Sequence, residues 1–305
     1  MNEPLVSIVI PSYNRAHCIA AAIMSALEQT YPNYEIIIAD DGSADDTEGA
    51  VRALAQPKVR YVRKANGGCS SARNFGVSNA AGKYVAFLDS DDTWEKTWLA
   101  TAVAIMERDA GIGAVYSSLE RIDGNGKTFG IMDLTLGGQF AQATIPYVLT
   151  RCMGLLGSNI IGRRDVVNAI GGWDETFPTS GDLDFGLRLA SATRVALVAT
   201  PFVKLVETAG SLSKKVNSGN RLRVLAKFEA AHPDKAREFQ EILRQSRARI
   251  YLTYAEDLLW YGRIREAEEQ LQASLRVAFS RKACWLLVKA QIIKLAGSRR
   301  RTTSA

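Results

Sequence analysis

Three carboxylates stand together where an apolar run ends, in the stretch FLDSDDTW at residues 87–94. Asp89, Asp91 and Asp92 repel one another, and each raises the pKa of its neighbours unless something compensates the charge. Clustered carboxylate oxygens are the ligands that hard divalent cations take. An aspartate-rich turn in solvent is the other interpretation, and these three residues by themselves favour it.

A second acidic pair, Asp40 and Asp41, follows another apolar run. Buried strands are predicted at 5–11 and 34–40 and further strands at 59–63 and 83–89, with helices at 16–29, 47–55 and 69–82 between them. Alternation of this kind predicts a parallel sheet with helices on both faces, in which ligands bind beyond the carboxyl ends of the strands. Both acidic groups are therefore expected to face one crevice.

The composition, 47% hydrophobic and 23% charged, is that of a soluble globular protein, and the length of 305 residues suits one large α/β domain with an appendage or two domains. Two histidines exclude a histidine-rich metal site, and four scattered cysteines favour a reduced, cytoplasmic setting over a disulfide framework. No basic segment precedes an apolar run at the N-terminus, so no signal peptide is expected. No run of about 18 apolar residues is present.

Charge divides the chain into two parts. Residues 1–213 hold 18 basic and 23 acidic residues, a net charge of −5, whereas residues 214–305 hold 20 and 9, a net charge of +11. The second part consists of helix formers without a strand pattern, and 251–279 is typical of paired helices. A catalytic domain over 1–213 and a basic helical extension over 214–305 are predicted.

Four segments stand in order: VSIVIPSYNR, IIIADDGSADDT, GGCSSARNFGVSNAAGKYVAFLDSDDTW and GGWDETFPTSGDLDFGLRLA. Together they resemble the family 2 glycosyltransferases, inverting enzymes with the GT-A fold, over roughly residues 5–213. The resemblance implies a mostly parallel sheet flanked by helices. It also implies transfer of a sugar from a nucleotide diphosphate-sugar, UDP-sugar favoured, to an acceptor hydroxyl.

The acidic cluster matches the D-x-D region of this family. The resemblance implies that Asp89 lies near the ribose, that Asp91 binds a divalent cation (Mn or Mg), and that Asp92 adjoins it. Such a cation would offset the charge of the leaving diphosphate. Arg73 matches a basic residue that reaches the nucleotide or its phosphates, and an exposed helix arginine is the alternative.

Nucleotide contacts are implied for residues that follow the first two strands. Asp41, with Asp40 as support, matches the contact to the base, where a carboxylate accepts an imino N–H. Pro11, Tyr13 and Arg15 match the first nucleotide loop, in which Tyr13 would pack against the base. A simple turn after a strand is the alternative.

The acceptor side is assigned to the fourth segment. Asp182 matches the general base, which takes the proton of the acceptor hydroxyl. Relatives often read Glu-Asp-x-Asp, but Gly181 stands at the first position here, and Asp184 is a second candidate for the base or for a helix cap. Trp173 and Asp174 match an acceptor-side wall, although core packing is equally typical of a tryptophan.

An Arg-x-His pair precedes GSLS in many relatives, but this chain reads LVETAGSLS, with Glu207 and Thr208 there. Metal binding then rests on fewer protein groups, which magnesium or manganese with phosphate ligands permits. This gap and Gly181 support an alternative, a degenerate scaffold that binds partners through its helical tail. A nucleotidyltransferase or a dinucleotide dehydrogenase is disfavoured, since no glycine-rich loop follows the first strand.

The proposed acceptors are a growing polysaccharide, a lipid-linked oligosaccharide or another envelope glycan. The final helical segment mixes apolar and basic residues, and Trp285 and Leu286 could insert into an anionic membrane surface. A core helix with a basic end is the alternative. No nucleic acid is expected, because no nucleic-acid-binding motif is present. A cytoplasmic enzyme, peripheral at the inner face of the plasma membrane, is the resulting hypothesis.

Overall fold

The computed structural model describes residues 3–151, 155–207 and 218–302. The chain forms two compact units, Met1–Ser211 and Leu212–Ala305. The first contains every strand of the described residues, and the second contains only helices.

The strands are β1 (Val6–Ser12), β2 (Tyr34–Asp40), β3 (Val59–Arg63), β4 (Tyr84–Phe87), β5 (Thr93–Trp94), β6 (Ile112–Asp123), β7 (Thr128–Met132), β8 (Phe140–Gln142), β9 (Ile160–Arg163) and β10 (Arg194–Glu207). The helices of the first unit are α1 (Ile19–Leu27), α2 (Thr47–Arg52), α3 (Cys69–Ser78), α4 (Trp98–Arg108), α5 (Ile145–Arg151), α6 (Arg164–Ala169) and α7 (Gly181–Ala192), with a 3₁₀ turn at Gly157–Asn159. Those of the second unit are α8 (Ser218–Ala231), α9 (Pro233–Glu238), α10 (Gln240–Trp260), α11 (Ile264–Val277) and α12 (Arg281–Thr302).

Half of the sheet is parallel and has the order β3-β2-β1-β4. β1 and β2 pair along their full length, from Val6 opposite Tyr34 to Ser12 opposite Asp40. Their apolar, β-branched sequences fit this position, because a central parallel strand is covered on both faces. The four strands predicted from the sequence are all present here.

The other half of the sheet is mixed. β9 lies antiparallel between β4 and β6, and β10 runs parallel to β6 with two short strands, β5 and β8, antiparallel to it. The sequence DGNG at residues 123–126, a typical hairpin turn, joins β6 to β7 as an antiparallel hairpin. β9 lies between α5 and α6 in the sequence. Because β9 pairs with β4, the 3₁₀ turn directly before β9 lies next to the end of β4.

Helices cover both faces of the parallel strands. Ile8 and Ile10 of β1 pack in one buried cluster with Ile19 and Ile23 of α1 and with α4. Val9 points the opposite way, as alternation along a strand requires, and meets Gly76 of α3. The chain thus has a helix–sheet–helix arrangement around β1.

An aromatic cluster connects β4 to α7 on the α3 side. The rings of Trp173 and Phe185 are stacked, with centroids 4.1 Å apart and planes 2° apart. Phe87 meets both rings edge-on, at 5.5 and 6.3 Å. This cluster fixes the start of α7 against the end of β4.

The second unit is built around α10, α11 and α12. Small residues let the three helices approach closely, and the shared core comprises Ala255, Leu258, Ala267, Leu271, Ala283 and Leu286. Gly262 has φ +70° in the turn between α10 and α11, a conformation that favours glycine. Within the residues that the structure describes, no helix has the length and apolar character that crossing a bilayer would require.

Gly76 permits the contact between α3 and β1, and its substitution tests that packing. A Cβ atom at this position would overlap Val9 Cγ1. Gly76→Ala should therefore lower the free energy of unfolding of the first unit by about 1–3 kcal/mol, although alanine favours a helix. Urea unfolding followed by tryptophan fluorescence measures this change.

Two further variants complete this test. In the double variant Gly76→Ala/Val9→Ala the losses should be less than additive, because the second substitution removes the overlapping methyl group. Gly219→Ala is the matched control, since open space surrounds that helical glycine. Additive losses, or a Gly76→Ala protein as stable as the parent, would contradict the packing described.

Candidate active site

The loops after β1, β2 and β4 meet at one edge of the sheet. The backbone N–H of Asp41 donates to Ser12 O at 2.8 Å, and that of Leu88 donates to Val9 O at 3.0 Å. The N–H of Lys64 donates to Asp40 O at 2.9 Å. The carboxyl ends of neighbouring parallel strands are thereby aligned, at the edge where such sheets bind ligands.

The first loop is fixed by side chains from the second. Asn14 has φ +55°, and its backbone N–H donates to Ser43 Oγ at 2.8 Å. The N–H of Arg15 donates to Thr47 Oγ1 at 2.9 Å. Tyr13 is left 49% exposed at the edge, so its ring is free to pack against a ligand. Pro11 differs from the prediction, because it is a buried residue of β1 and not part of the loop.

Asp40 shapes the loop after β2 and is fully buried. Its Oδ1 accepts hydrogen bonds from the N–H groups of Gly42 and Ser43, at 3.0 and 2.8 Å, and its Oδ2 accepts from Ser43 Oγ at 2.5 Å. Because the carboxylate is buried and bonded within the loop, Asp40 shapes the loop and has no oxygen open to a nucleotide; support of a base contact by Asp41 stays a prediction.

Asp41 connects the same loop to the start of α3. Its Oδ1 accepts from Lys64 Nζ at 3.0 Å and from Gly67 N at 2.9 Å, and its Oδ2 accepts from Gly68 N at 2.7 Å. The residue is 3% exposed. These bonds hold the glycine pair in front of α3, and a contact between Asp41 and a nucleotide base stays a prediction.

Arg73 of α3 is the centre of the site and is buried. Its Nη2 donates to Asp89 Oδ1 at 2.7 Å, and its Nη1 lies 3.6 Å from Asp182 Oδ1. Its guanidinium carbon lies 4.3 Å from the ring centroid of Trp173. The alternative of an exposed helix arginine is therefore wrong, because the side chain joins two carboxylates and an aromatic ring.

Asp182 occupies the first turn of α7, after Ser180 with φ +68°. Its side chain is one-third exposed, but its Oδ1 is buried without a hydrogen-bond partner. Burial raises the pKa of Asp182 to about 6, against the lowering effect of Arg73 and with a further increase from Asp89. A carboxylate with a pKa near neutrality and an open face is suited to take up a proton.

Aspartates from three separate segments, Asp41, Asp89 and Asp182, lie around the first turns of α3. The side chain of Cys69, the first residue of α3, lies within electrostatic range of Arg73, Asp89, Asp182 and Asp41. Asp89 in turn acts on the pKa values of its neighbours in the acidic cluster. Arg73 thus joins Asp89 of the acidic stretch to Asp182 of α7, and their roles toward a donor and as a base stay predictions.

Asp91 is the open carboxylate of the acidic cluster, with a side chain 32% exposed and 3.5 Å from Arg15 Nη2. Partial burial and the charge of Asp89 raise its pKa, and Arg15 opposes that increase. Within the described residues, no group of three or more His, Cys, Asp or Glu side chains could hold a metal ion. Asp91 and Asp89 offer hard oxygen ligands, which fits a cation that takes its other ligands from phosphate and water.

Asp92 does not join this pair, and its assignment to the metal is corrected. It is 1% exposed, its Oδ1 accepts from the N–H of Val206 at 3.1 Å, and its Oδ2 accepts from Ser158 Oγ. Burial and the neighbouring carboxylates raise its pKa well above the usual range. Asp92 therefore ties the acidic loop to β10 and to the 3₁₀ turn.

Two of the three residues assigned to the acceptor side are structural. Trp173 is 2% exposed and belongs to the aromatic cluster, so no ring face is open to a sugar. Asp184 is 3% exposed and pairs with Arg188 at 2.5 Å within α7. Asp174 is half-buried and accepts hydrogen bonds from Thr176 N and Oγ1, at 2.8 and 2.7 Å.

The stretch that replaces the Arg-x-His pair begins at the end of β10, at Glu207, and Thr208 lies outside the described residues.

Sequence reasoning missed two residues of the 3₁₀ turn that support the site. A Cβ atom on Gly157 would overlap the guanidinium of Arg73. Ser158 Oγ accepts from the N–H of Asp89 at 3.0 Å. No local signal identified either residue, because each acts on a loop far away in sequence.

Comparison with known proteins decides the family. The sequence model described as "Glycosyl transferase family 2" matches residues 7–171, more than half of the chain. The chain belongs to glycosyl transferase family 2. This family 2 chain is 37% identical, over 126 residues, to the UDP-Glc:alpha-D-GlcNAc-diphosphoundecaprenol beta-1,3-glucosyltransferase WfgD of Escherichia coli. The match covers 41% of this chain and 49% of WfgD.

Solved structures of glycosyltransferases share the fold of this family 2 protein. S. aureus TarS 1-349 in complex with UDP-GlcNAc superposes with a TM-score of 0.71 at 18% identity, covering 91% of this chain and 82% of TarS. The mannosyltransferase PcManGT from Pyrobaculum calidifontis, in complex with GDP-Man and Mn2+, gives 0.62 at 23% identity, covering 100% and 84%. The predicted GT-A fold with a C-terminal helical region is confirmed.

The match with the curated relatives covers only part of their length. This chain spans between a quarter and a half of the length of the first of them. What those proteins act on therefore enters only as a proposal for this one.

Replacing Asp182 by asparagine tests the electrostatics of the site without any substrate. Because the folded-state pKa is raised to about 6, the stabilising contribution of the protonated form is lost as the pH rises through that value. Asparagine keeps a neutral group, so Asp182→Asn should raise the melting temperature by a few degrees at pH 8. The gain should vanish near pH 4. Differential scanning calorimetry measures both.

Asp184→Asn is the control for that experiment. Its carboxylate is paired with Arg188, so the same substitution two residues away should lower the melting temperature at pH 8. An Asp182→Asn protein that is less stable than the parent at pH 8 would show that the carboxylate is not held in an unfavourable environment.

Proposed function

We propose that this protein is an inverting glycosyltransferase that moves a sugar from a nucleotide diphosphate-sugar, UDP-sugar favoured, to an acceptor hydroxyl. The observation that carries the proposal is the contact of Arg73 with both Asp89 and Asp182, one from each side of the expected reaction. Membership of family 2 and the GT-A fold support it. Inversion requires the base and the leaving diphosphate to lie on opposite faces of the sugar, and the two carboxylates come from separate elements, the loop after β4 and the first turn of α7.

Asp182 is the proposed general base. Its raised pKa favours uptake of the hydroxyl proton as the acceptor oxygen attacks the anomeric carbon. Arg73 limits this increase, so that the carboxylate is still ionised at neutral pH. Gly181 precedes Asp182 at the start of α7. A Cβ atom added to Gly181 would lie only 3.2 Å from Ser70 Oγ, so a larger residue at this position would crowd that hydroxyl.

The donor is proposed to lie against the loops after β1, β2 and β4. Tyr13 would pack on the base, and Arg15 lies beside Asp91, where it would meet the diphosphate. A divalent cation, Mn or Mg, held by Asp91 and Asp89 would supply positive charge against the oxygens of the leaving diphosphate. The Mn2+ named in the PcManGT complex supports a metal in this fold.

The acceptor is proposed to be a polysaccharide or a lipid-linked glycan of the cell envelope. The name of WfgD includes a diphosphoundecaprenol-linked sugar as its substrate. Chondroitin synthase of Pasteurella multocida is 39% identical to this chain over 125 residues. The cytoplasm is the proposed location, at the inner face of the plasma membrane. The cysteines that the structure describes, Cys18, Cys69 and Cys284, are unpaired, as in a reducing compartment.

A non-catalytic scaffold is the second candidate function. It is favoured by the small number of metal-binding side chains in the described part of the chain. Calorimetric titration with UDP and manganese separates the two. An enzyme should bind UDP more tightly with the metal than without it, and a scaffold should show no metal-dependent binding.

Asp91→Asn and Asp182→Asn should each reduce sugar transfer at least about a thousandfold, because each removes a charge that acts on the reacting atoms. A screen of nucleotide-sugars for donor hydrolysis, with and without manganese, first identifies the donor. Asp109→Asn is the matched control, since that carboxylate follows α4 and pairs with Arg194 at the start of β10, away from the carboxyl ends of the strands. Near-normal turnover in either variant would remove that residue from the mechanism.

The pH dependence of transfer should reflect the base. Because Asp182 must be ionised to accept a proton and its pKa is about 6, kcat/KM should fall about tenfold per pH unit below that value. Initial rates measured between about pH 4.5 and about pH 8.5, at a fixed metal concentration, give the pH profile. A rate that is constant down to pH 5 would mean that another group takes the proton.

A further inference from the structure

Helix α12 has apolar side chains on two opposite faces. Ala283, Leu286 and Ala290 are buried, and the first two belong to the core of the helical unit. Trp285, Val288 and Ile292 are 61%, 55% and 60% exposed. The sequence suggested that Trp285 and Leu286 insert together, but the structure places Leu286 in the core.

The three exposed residues form one surface, which we call the α12 outer face (Trp285, Val288, Ile292). Their spacing of three and four residues places them within about 60° of one another on a helix with roughly 100° per residue. The buried residues lie on the other side of the helix. A solvent-exposed helix face normally carries polar residues, so this arrangement needs a partner.

A second tryptophan extends the apolar surface. Trp260, at the end of α10, is 87% exposed and lines the same groove as Trp285. Lys289 also lines the groove, and its Nζ lies 5.3 Å from the ring centroid of Trp285. Aromatic rings next to lysines are typical of side chains at the boundary between lipid and water.

The charge of the helix indicates which partner it meets. α12 carries seven lysine and arginine residues and no aspartate or glutamate. Lys282 pairs with Glu256 of α10 at 2.5 Å, so that acid is already neutralised. Basic residues along an apolar helix face favour a negatively charged surface, and they disfavour a second copy of an equally basic helix.

We propose that the α12 outer face docks on the surface of an anionic lipid bilayer, with the helix lying parallel to the membrane plane. Val288 and Ile292 enter the boundary between headgroups and acyl chains, and Trp285 and Trp260 lie at headgroup level. Arg281 and Lys289, which are exposed on α12, bind anionic headgroups. The inference stands on the helical unit alone and does not depend on the proposed chemistry.

Vesicle binding tests this surface directly. The purified full-length chain is mixed with vesicles of phosphatidylcholine alone or with added phosphatidylglycerol, and sedimentation measures the bound fraction. Binding should require the anionic lipid and should weaken at high salt. Trp94, Trp98 and Trp173 are buried, so a blue shift of tryptophan emission on binding reports Trp260 and Trp285.

Two matched variants decide whether the α12 outer face is responsible. Ile292→Ser should lower partitioning by roughly tenfold, because one buried isoleucine is lost from the bound state. Ile131→Ser removes the same side chain at 63% exposure from β7 of the other unit, and it should leave partitioning unchanged. Circular dichroism checks that both variants keep their helix content.

Three results would overturn membrane docking. They are no binding to anionic vesicles at low salt, an Ile292→Ser protein that binds as well as the parent, or an Ile131→Ser protein that loses as much binding as Ile292→Ser. A second copy is the competing occupant of this face. Sedimentation velocity without lipid would then show a dimer that Ile292→Ser dissociates, and this result too would overturn membrane docking.

Discussion

The buried guanidinium of Arg73 is the constraint on which the rest of the site depends. A charged group in this position is stable only with opposite charges and good geometry around it. Asp89, after β4, and Asp182, at the start of α7, supply those charges, and Trp173 lies against the guanidinium. Three elements that are far apart in the sequence must therefore converge before α3 can bury its arginine.

Much of the fold of the first unit could be predicted from local patterns. β1, β2 and β4 are continuous apolar runs, which suits strands covered on both faces, and the DGNG turn specifies the hairpin of β6 and β7. The position of β9 could not be predicted, because its four residues have no pattern that excludes a helix. Its place between β4 and β6 is set by tertiary pairing.

The site was predictable as a set of segments, but the direction of each side chain was not. Within the acidic stretch, Asp91 stays open and Asp92 turns inward. The partners of Asp92 are Ser158 and the backbone of Val206, which are 66 and 114 residues away in sequence. The burial of Trp173 also depends on residues distant in sequence or across the sheet, because its ring packs against Phe185 and Phe87. Motif matching identified the correct loops, and only the packing distinguished supports from reactive groups.

The acidic residues at the strand ends divide according to how well their oxygens are satisfied. Asp40, Asp41 and Asp92 accept two or more hydrogen bonds each and shape loops. Asp182 keeps one buried oxygen without a hydrogen bond, and its pKa is raised. A satisfied carboxylate contributes to stability, whereas an unsatisfied one reduces it and retains the ability to bind a proton. Asp41 and Asp92 thereby hold the start of α3 and the acidic loop in place, and Arg73 joins these two segments to Asp182.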